Sequence, residues 1–139
     1  MFKKILVATD GSDNANEAVR HAAQLAKIAS TDTVLVLHVC PACTADIDLQ
    51  DTNRKIAERI LEDAGSIVSV KETDVQLMIE ADYPPESVGL AITDIAKERK
   101  VDLIILGSRG LSEVKGLLLG SVSNKVLQHA ECPVLVVKS

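Results

Sequence analysis

Five short apolar runs alternate with longer segments of helical periodicity, and this alternation limits the fold of the chain more than any other feature. The runs predict β-strands over residues 4–8, 33–39, 75–80, 103–106 and 134–137. Strands that are separated by helices, rather than by tight hairpins, are typical of a parallel sheet covered on both faces. The sequence therefore predicts an α/β fold, a three-layer α/β/α sandwich around a five-stranded parallel sheet.

Helices are predicted between the strands, where apolar residues recur at helical spacing. The first covers residues 14–29 with Ser12 as its N-cap, and the second covers about 51–70. The third follows the turn 82–85, where proline suits a first helical turn, and the fourth covers 122–129. The expected inward residues are Ile56, Ile60, Leu61, Ala64 and Val68 in the second helix and Val122, Val126 and Leu127 in the fourth.

The strand order follows from the handedness of the connections. Right-handed crossovers between parallel strands are best satisfied by a doubly wound sheet of order 3-2-1-4-5. Strands one and four are then neighbours where the winding reverses, and ligands of such sheets bind outside the carboxyl ends of the strands at that point. The loops 9–12 and 107–120 are expected to meet there.

A glycine-rich segment follows the fourth predicted strand, and it reads Gly107-Ser108-Arg109-Gly110, nine residues, then Gly120-Ser121-Val122-Ser123. Glycines allow the backbone to approach an anion closely, and a helix start adds N–H donors and a partial positive charge. The segment therefore predicts a phosphate-binding loop. The structural alternative is that Gly107 only ends the strand and Gly120 only precedes an N-cap at Ser121.

Composition and charge exclude other classes of function. The 139 residues suit one domain, residues 1–139. A net charge of −5 without a basic cluster argues against nucleic-acid binding, and one Phe, one Tyr and no Trp make no stacking platform for bases. No apolar run is long enough to cross a membrane, and with no targeting segment recognised the expected location is the cytoplasm.

Cys40 and Cys43 form a C-x-x-C that begins two residues after His38. Such a pair can be redox-active or can contribute to a metal site. A helix start, which a redox pair uses, is only weakly indicated here, and no further ligands have zinc-site spacing. We therefore favour two thiols in the loop after strand two, with their role left open.

The chain has no Walker P-loop, no G-x-G-x-x-G and no G-x-S-x-G. Its own motif, G-x2-G-x9-G-[ST], resembles the nucleotide-binding motif of the universal stress protein family. The opening ILVATDGS (5–12) and the ending CPVLVVK (132–138) also resemble that family, so the likeness covers essentially the whole chain. It implies a fold like that of the adenine nucleotide α-hydrolases. Because the three glycines and Ser121 are all present, it also implies the branch that binds ATP.

The resemblance implies roles at the phosphate end of the site. The backbone N–H groups of one set are expected to wrap the ribose and phosphates: Gly107, Ser108, Arg109 and Gly110. A second set is expected to hold the terminal phosphates, with both serine hydroxyls donating: Gly120, Ser121, Val122 and Ser123.

Three further residues are assigned by the same resemblance to the opposite side of the crevice. Thr9 and Asp10 lie there, and Asp10 either accepts from the adenine or ribose, helps to hold Mg²⁺, or only caps the first helix. Val39 is expected to offer backbone groups and an apolar wall to the adenine. No residue is assigned as catalytic, and no metal ligand is assigned beyond this alternative.

The residues favour holding a nucleotide over fast turnover. Efficient phosphoryl transfer needs a base, a cation and often an Arg or Lys at the γ-phosphate. Only Asp10 and Arg109 are obvious candidates, and no lysine directly follows the last glycine. The first hypothesis is an ATP-binding regulatory module of the stress response, as the resemblance implies. The alternatives are a slow ATPase or self-phosphorylating enzyme, and an interaction protein that binds AMP or cyclic AMP.

The fifth predicted strand, Val134 to Val137, is an edge of the sheet and carries no charge. Uncharged apolar edges favour pairing with another chain. A twofold partner would pair this strand with its copy, so the sequence predicts a homodimer through strand five, as the resemblance also suggests.

Overall fold

A computed structural model describes residues 1–41, 47–109 and 119–139. Within these residues, strands and α-helices alternate along the chain. A single 3₁₀ turn, Pro85–Ser87, precedes α3. The elements are β1 (Lys4–Ala8), α1 (Asp13–Ala29), β2 (Thr33–Pro41), α2 (Ile47–Val68), β3 (Asp74–Tyr83), α3 (Val88–Glu98), β4 (Leu103–Gly107), α4 (Ser121–His129) and β5 (Val134–Val137).

The strands form one parallel sheet of order β3-β2-β1-β4-β5, as the connection rules predicted. β1 pairs with β2 on one side and with β4 on the other, with Val7 opposite Val36 and Ile105. β1 and β4 are therefore neighbours at the point where the winding reverses. The loops that follow these two strands leave the same edge of the sheet.

Alternate strand residues supply two cores, one on each face of the sheet. On one face α1 and α2 pack on fully buried strand residues such as Ile5 and Val36. On the other face α3 and α4 pack on residues such as Leu6 and Leu37. The three-layer α/β/α sandwich is thus confirmed, and it arises because both faces of the central strands are apolar.

Two apolar helix residues lie further out than their spacing predicted. Ile56 is 53% exposed, because the buried face of α2 consists of Ala57, Leu61, Ala64 and Val68. Leu127 of α4 is 44% exposed, because Ser123 takes a buried position and moves the inward stripe away from Leu127. Within the described residues, no helix has the length and apolar character of a membrane span.

Candidate functional site

The loop after β1 is held in a fixed turn by its own side chains. The Thr9 N–H donates to the Leu37 carbonyl at 2.9 Å, and the Gly11 N–H donates to Thr9 Oγ1 at 3.1 Å. Gly11 has φ of +82°, a left-handed conformation that suits glycine. This loop delivers the chain into α1, with Thr9 itself buried.

Asp10 and Ser12 complete the entry into α1. Asp10 Oδ1 accepts from the Ser12 N–H at 3.0 Å, and Ser12 Oγ accepts from the Ala15 N–H at 3.2 Å. The N-cap predicted at Ser12 is confirmed. One carboxylate oxygen of Asp10 thus organises the turn before the helix, and its roles toward a nucleotide or Mg²⁺ stay predictions.

Asn14, in the first turn of α1, reaches across to the end of β4, and its sequence position gave no sign of this. Its Oδ1 accepts from the Arg109 N–H at 2.9 Å, and its Nδ2 donates to the Val137 carbonyl at 3.0 Å. A Cβ built on Gly107 would lie 2.6 Å from Asn14 Oδ1. Gly107 therefore ends β4 and leaves room for the Asn14 amide, which gives this glycine a packing role.

The backbone N–H groups that directly follow β4 bond within the protein. The Ser108 N–H donates to the Val137 carbonyl at 2.9 Å, and the Arg109 N–H donates to Asn14. These two bonds stabilise the start of the loop, and the wrapping of ribose and phosphates by residues 107–110 stays a prediction. Gly110 lies outside the described residues.

The start of α4 is bound to the same loop. The Gly120 N–H donates to the Ser108 carbonyl at 2.6 Å. The Ser123 hydroxyl lies within bonding distance of two acceptors, the Ser108 carbonyl at 3.0 Å and the Gly120 carbonyl at 3.1 Å. Ser123 is only 2% exposed, so its hydroxyl contributes to the contact between this loop and α4, and its donation to a phosphate stays a prediction. The structure brings the predicted glycine loop and the helix start together, and hydrogen bonds between the two hold them there.

What remains available at α4 is its first turn of backbone N–H groups. Gly120 is the N-cap and, having no side chain, provides no capping oxygen. Within the described part of the chain, the N–H groups of Ser121, Val122 and Ser123 have no acceptor. The Ser121 side chain is exposed beside them. Together with the helix dipole, these groups can hold an anion.

Gly120 differs from Gly107 in what surrounds it. Its φ of −71° and ψ of 169° are open to any residue. A Cβ there would make only ordinary contacts, the nearest at 3.4 Å from the Ser108 carbonyl oxygen. Among the described residues, nothing therefore requires glycine at position 120.

At the end of β2, Val39 is 8% exposed and belongs to the core on the α3 side of the sheet. Its neighbour His38 was noted in the sequence only for its place before Cys40. His38 Nδ1 lies 2.8 Å from the Thr9 carbonyl, and because a carbonyl can only accept, Nδ1 carries the proton of that bond. His38 thus ties β2 to the loop that contains Asp10.

Cys40 lies in β2 and is buried, so its placement in a loop after that strand was wrong; Cys43 lies outside the described residues. The third cysteine, Cys132, precedes β5, and desolvation by burial raises the pKa of its thiol. Among residues 1–41, 47–109 and 119–139, no group of three or more His, Cys, Asp or Glu side chains has the arrangement of a metal site.

Comparison with known proteins gives a consistent match along the chain. The universal stress protein family matches residues 1–138. Universal stress protein YxiE of Bacillus subtilis is 33% identical, with 99% of this chain and all of the relative covered. A universal stress protein of Thermus aquaticus is 37% identical over 99% of this chain and all of its own length.

Solved structures agree with the sequence relatives. A universal stress protein in complex with cAMP is 29% identical, with a TM-score of 0.74 over 97% of this chain and 96% of its own. The universal stress protein from Archaeoglobus fulgidus in complex with dAMP is 26% identical, with a TM-score of 0.76 over 99% of this chain and all of its own. By sequence and by fold, this chain belongs to the universal stress protein family.

Proposed function

We propose that this protein is a regulatory module that binds an adenine nucleotide, ATP in the first place, in the cytoplasm. The phosphates sit at the start of α4, on the N–H groups of Ser121, Val122 and Ser123. The observation that carries this proposal is the uncapped helix start at Gly120, whose first three N–H groups have no acceptor among the described residues. An anion there gains both hydrogen bonds and the favourable end of the helix dipole.

The adenosine end is assigned to the neighbouring strand ends. Thr9 and Asp10 follow β1, which lies between β2 and β4 in the sheet. Val39, near the end of β2, is largely buried, so in this proposal it meets the adenine with its backbone groups and the edge of the apolar core. In this proposal Asp10, whose Oδ1 accepts from the Ser12 N–H, contributes its carboxylate to binding of the ribose or of a Mg²⁺ ion that accompanies the phosphates.

Two related structures support the nucleotide class. One universal stress protein is in complex with cAMP and another with dAMP, so relatives with the same fold hold adenine nucleotides. Neither of those ligands has a triphosphate. The preference for ATP rests on Gly120 and Ser121 at the start of α4 and on the resemblance of the chain to the family's nucleotide-binding motif.

Holding the nucleotide, rather than consuming it, is the proposed activity. The start of α4 reads Gly-Ser-Val-Ser and contains no lysine to neutralise a γ-phosphate. A slow ATPase or phosphotransferase is the second candidate, and it requires turnover in the steady state. Background turnover in a sample that binds ATP stoichiometrically excludes the second candidate.

Calorimetry with ATP, ADP, AMP and cyclic AMP tests the proposed function. A few charge-assisted hydrogen bonds, each contributing ~1.5–3 kcal/mol, are expected to give micromolar binding of ATP, about −8 kcal/mol. Weaker binding of AMP than of ATP supports phosphates on α4. No heat with any of the four nucleotides refutes the proposal. Mass spectrometry of small molecules released from freshly purified protein then identifies the nucleotide carried in the cell.

We also propose a homodimer through β5. The Ile104 N–H donates to the Pro133 carbonyl, and the Ser108 N–H donates to the Val137 carbonyl. Since N–H and C=O groups of one residue point to the same side in a parallel pair, residues 133, 135 and 137 face β4. Val134 and Val136 then direct their backbone groups to the open edge, where a second copy can pair.

A further inference from the structure

We propose that Asn14 is the positioning residue for the phosphate end of the site. It orients the peptide between Ser108 and Arg109, and through that peptide it holds the first turn of α4 in place. The effect on a ligand rests on the proposed function, whereas the effect on the peptide itself concerns the protein alone.

The peptide between Ser108 and Arg109 is hydrogen-bonded to two helices, α1 and α4. It is trans, so its N–H and its C=O point in opposite directions. On one side the Arg109 N–H donates to Asn14 Oδ1 at 2.9 Å. On the other side the Ser108 carbonyl accepts from the Gly120 N–H at 2.6 Å and from the Ser123 hydroxyl at 3.0 Å. A rotation of this peptide would therefore break contacts with α1 and α4 together.

The Asn14 amide can hold this peptide in only one orientation. Its Nδ2 donates to the Val137 carbonyl at 3.0 Å while its Oδ1 accepts from the Arg109 N–H. In a flipped amide, Nδ2 would face the Arg109 N–H, donor against donor, and Oδ1 would face the Val137 carbonyl, acceptor against acceptor. The missing Cβ of Gly107 admits the amide to this position. The Asn14 side chain thus fixes the peptide that follows β4 relative to β5 and α1.

The consequence for binding is selective. The N–H groups of Ser121, Val122 and Ser123 follow directly from Gly120, whose own N–H is fixed by the Ser108 carbonyl. Loss of the Asn14 amide removes a bond that orients this peptide and is therefore expected to displace the donors that meet phosphate. Because binding groups tolerate only small displacements, phosphate binding is expected to weaken. The strand ends that face adenosine do not depend on this peptide. Asn14 therefore affects the phosphate part of a nucleotide and leaves the adenosine part unchanged.

The test compares Asn14→Ala with Asn16→Ala, using ATP and adenosine as probes. Asn16 is a half-buried residue in the same helix turn whose side chain makes no hydrogen bond to the described residues. By calorimetry, Asn14→Ala is expected to weaken ATP binding at least about tenfold and to change adenosine binding less than about twofold. Asn16→Ala is expected to change neither. Equal losses for both probes, or no loss of ATP binding, overturn the inference.

Amide exchange in the ligand-free protein separates this inference from the proposed function. In Asn14→Ala the Arg109 and Gly120 N–H groups are expected to exchange at least about tenfold faster than in wild type, with Asn16→Ala unchanged. Unchanged exchange overturns the inference even where ATP binds. A wild type that binds neither probe refutes the proposed function, and the exchange rates then decide the role of Asn14.

A second variant keeps the test open if Asn14→Ala does not fold. Ser123→Ala removes the hydroxyl that bonds the other side of the same peptide, at the Ser108 carbonyl. It is expected to weaken ATP binding selectively and to speed exchange at Gly120. Loss of adenosine binding to the same extent, or no change in exchange, contradicts the inference.

Discussion

At the scale of single residues, two glycines of one motif have different reasons to be glycine. Gly107 leaves room for the Asn14 amide, because an added Cβ would lie 2.6 Å from Asn14 Oδ1. Gly120 has no such neighbour, since an added Cβ would meet nothing closer than 3.4 Å. The protein needs the first glycine for packing, whereas nothing among the described residues requires the second.

For Gly107 this difference predicts a coupled loss of stability. Gly107→Ala is expected to lower the free energy of unfolding by ~1–3 kcal/mol, because the new methyl group overlaps Asn14. In an Asn14→Ala background the overlap with the amide disappears, and the same change is expected to cost less. Urea unfolding of the two single variants and the double variant measures the coupling. Strict additivity would contradict the contact.

For Gly120 the expected effect is on binding. Gly120→Val is expected to change stability by less than ~1 kcal/mol, the scale of N-cap preferences. Its side chain would fill the space in front of the α4 amides and weaken ATP binding at least about a hundredfold, equivalent to losing two charge-assisted bonds. Calorimetry beside the control Asn124→Val, an exposed position in the same helix turn, checks this. Unchanged ATP affinity in Gly120→Val would remove the phosphates from α4.

At the scale of elements, the position of α4 depends on how closely it packs on α3. A Cβ on Gly89 of α3 would lie 2.4 Å from Lys125 Cβ and 3.1 Å from the Val122 carbonyl oxygen. Backbone and near-backbone atoms cannot move aside without shifting a helix. Gly89 therefore sets the distance between α3 and α4.

A pair of glycine substitutions tests this helix contact. Gly89→Ala is expected to destabilise the fold by ~1–3 kcal/mol, since overlap exceeds the gain in helix propensity. Gly65→Ala in α2 is the matched control, because its Cβ would meet only the end of the half-exposed Leu77 side chain, at 3.1 Å. The control is expected to be neutral or stabilising by up to ~1 kcal/mol. Thermal and urea unfolding of both variants measure these changes in stability, and equal changes in the two variants would refute the close α3–α4 contact.

At the scale of the whole molecule, the open edge of β5 is where a second copy can add. Val136→Pro removes an N–H that faces this open edge, and proline is tolerated on such positions of edge strands. The variant is expected to stay folded and to become monomeric in light scattering at micromolar concentration. Leu135→Pro, whose N–H faces β4, is expected instead to destabilise the fold. A wild type that is already monomeric, or a dimeric Val136→Pro, contradicts pairing through β5.

The sequence by itself determined the strands and their order, and with them which loops leave the same edge of the sheet. Apolar periodicity is a local property, and the connection rules leave few arrangements for strands that alternate with helices. The N-cap at Ser12 was equally local and was predicted correctly. The extra strand residues at Cys40 and Tyr83 were missed because pairing with a neighbouring strand, rather than local pattern, extends β2 and β3.

Only the tertiary structure decided which polar groups of the motif are available. Ser108, Arg109 and Ser123 all read as donors to a phosphate, yet their partners are a carbonyl of β5, the Asn14 amide and the loop after β4. Asn14 and Arg109 are far apart in sequence, and no local pattern indicates that they meet. Hydrogen-bond partners of this kind depend on where packing places whole elements. A residue's type therefore determines what it can donate, and the fold determines to what it donates.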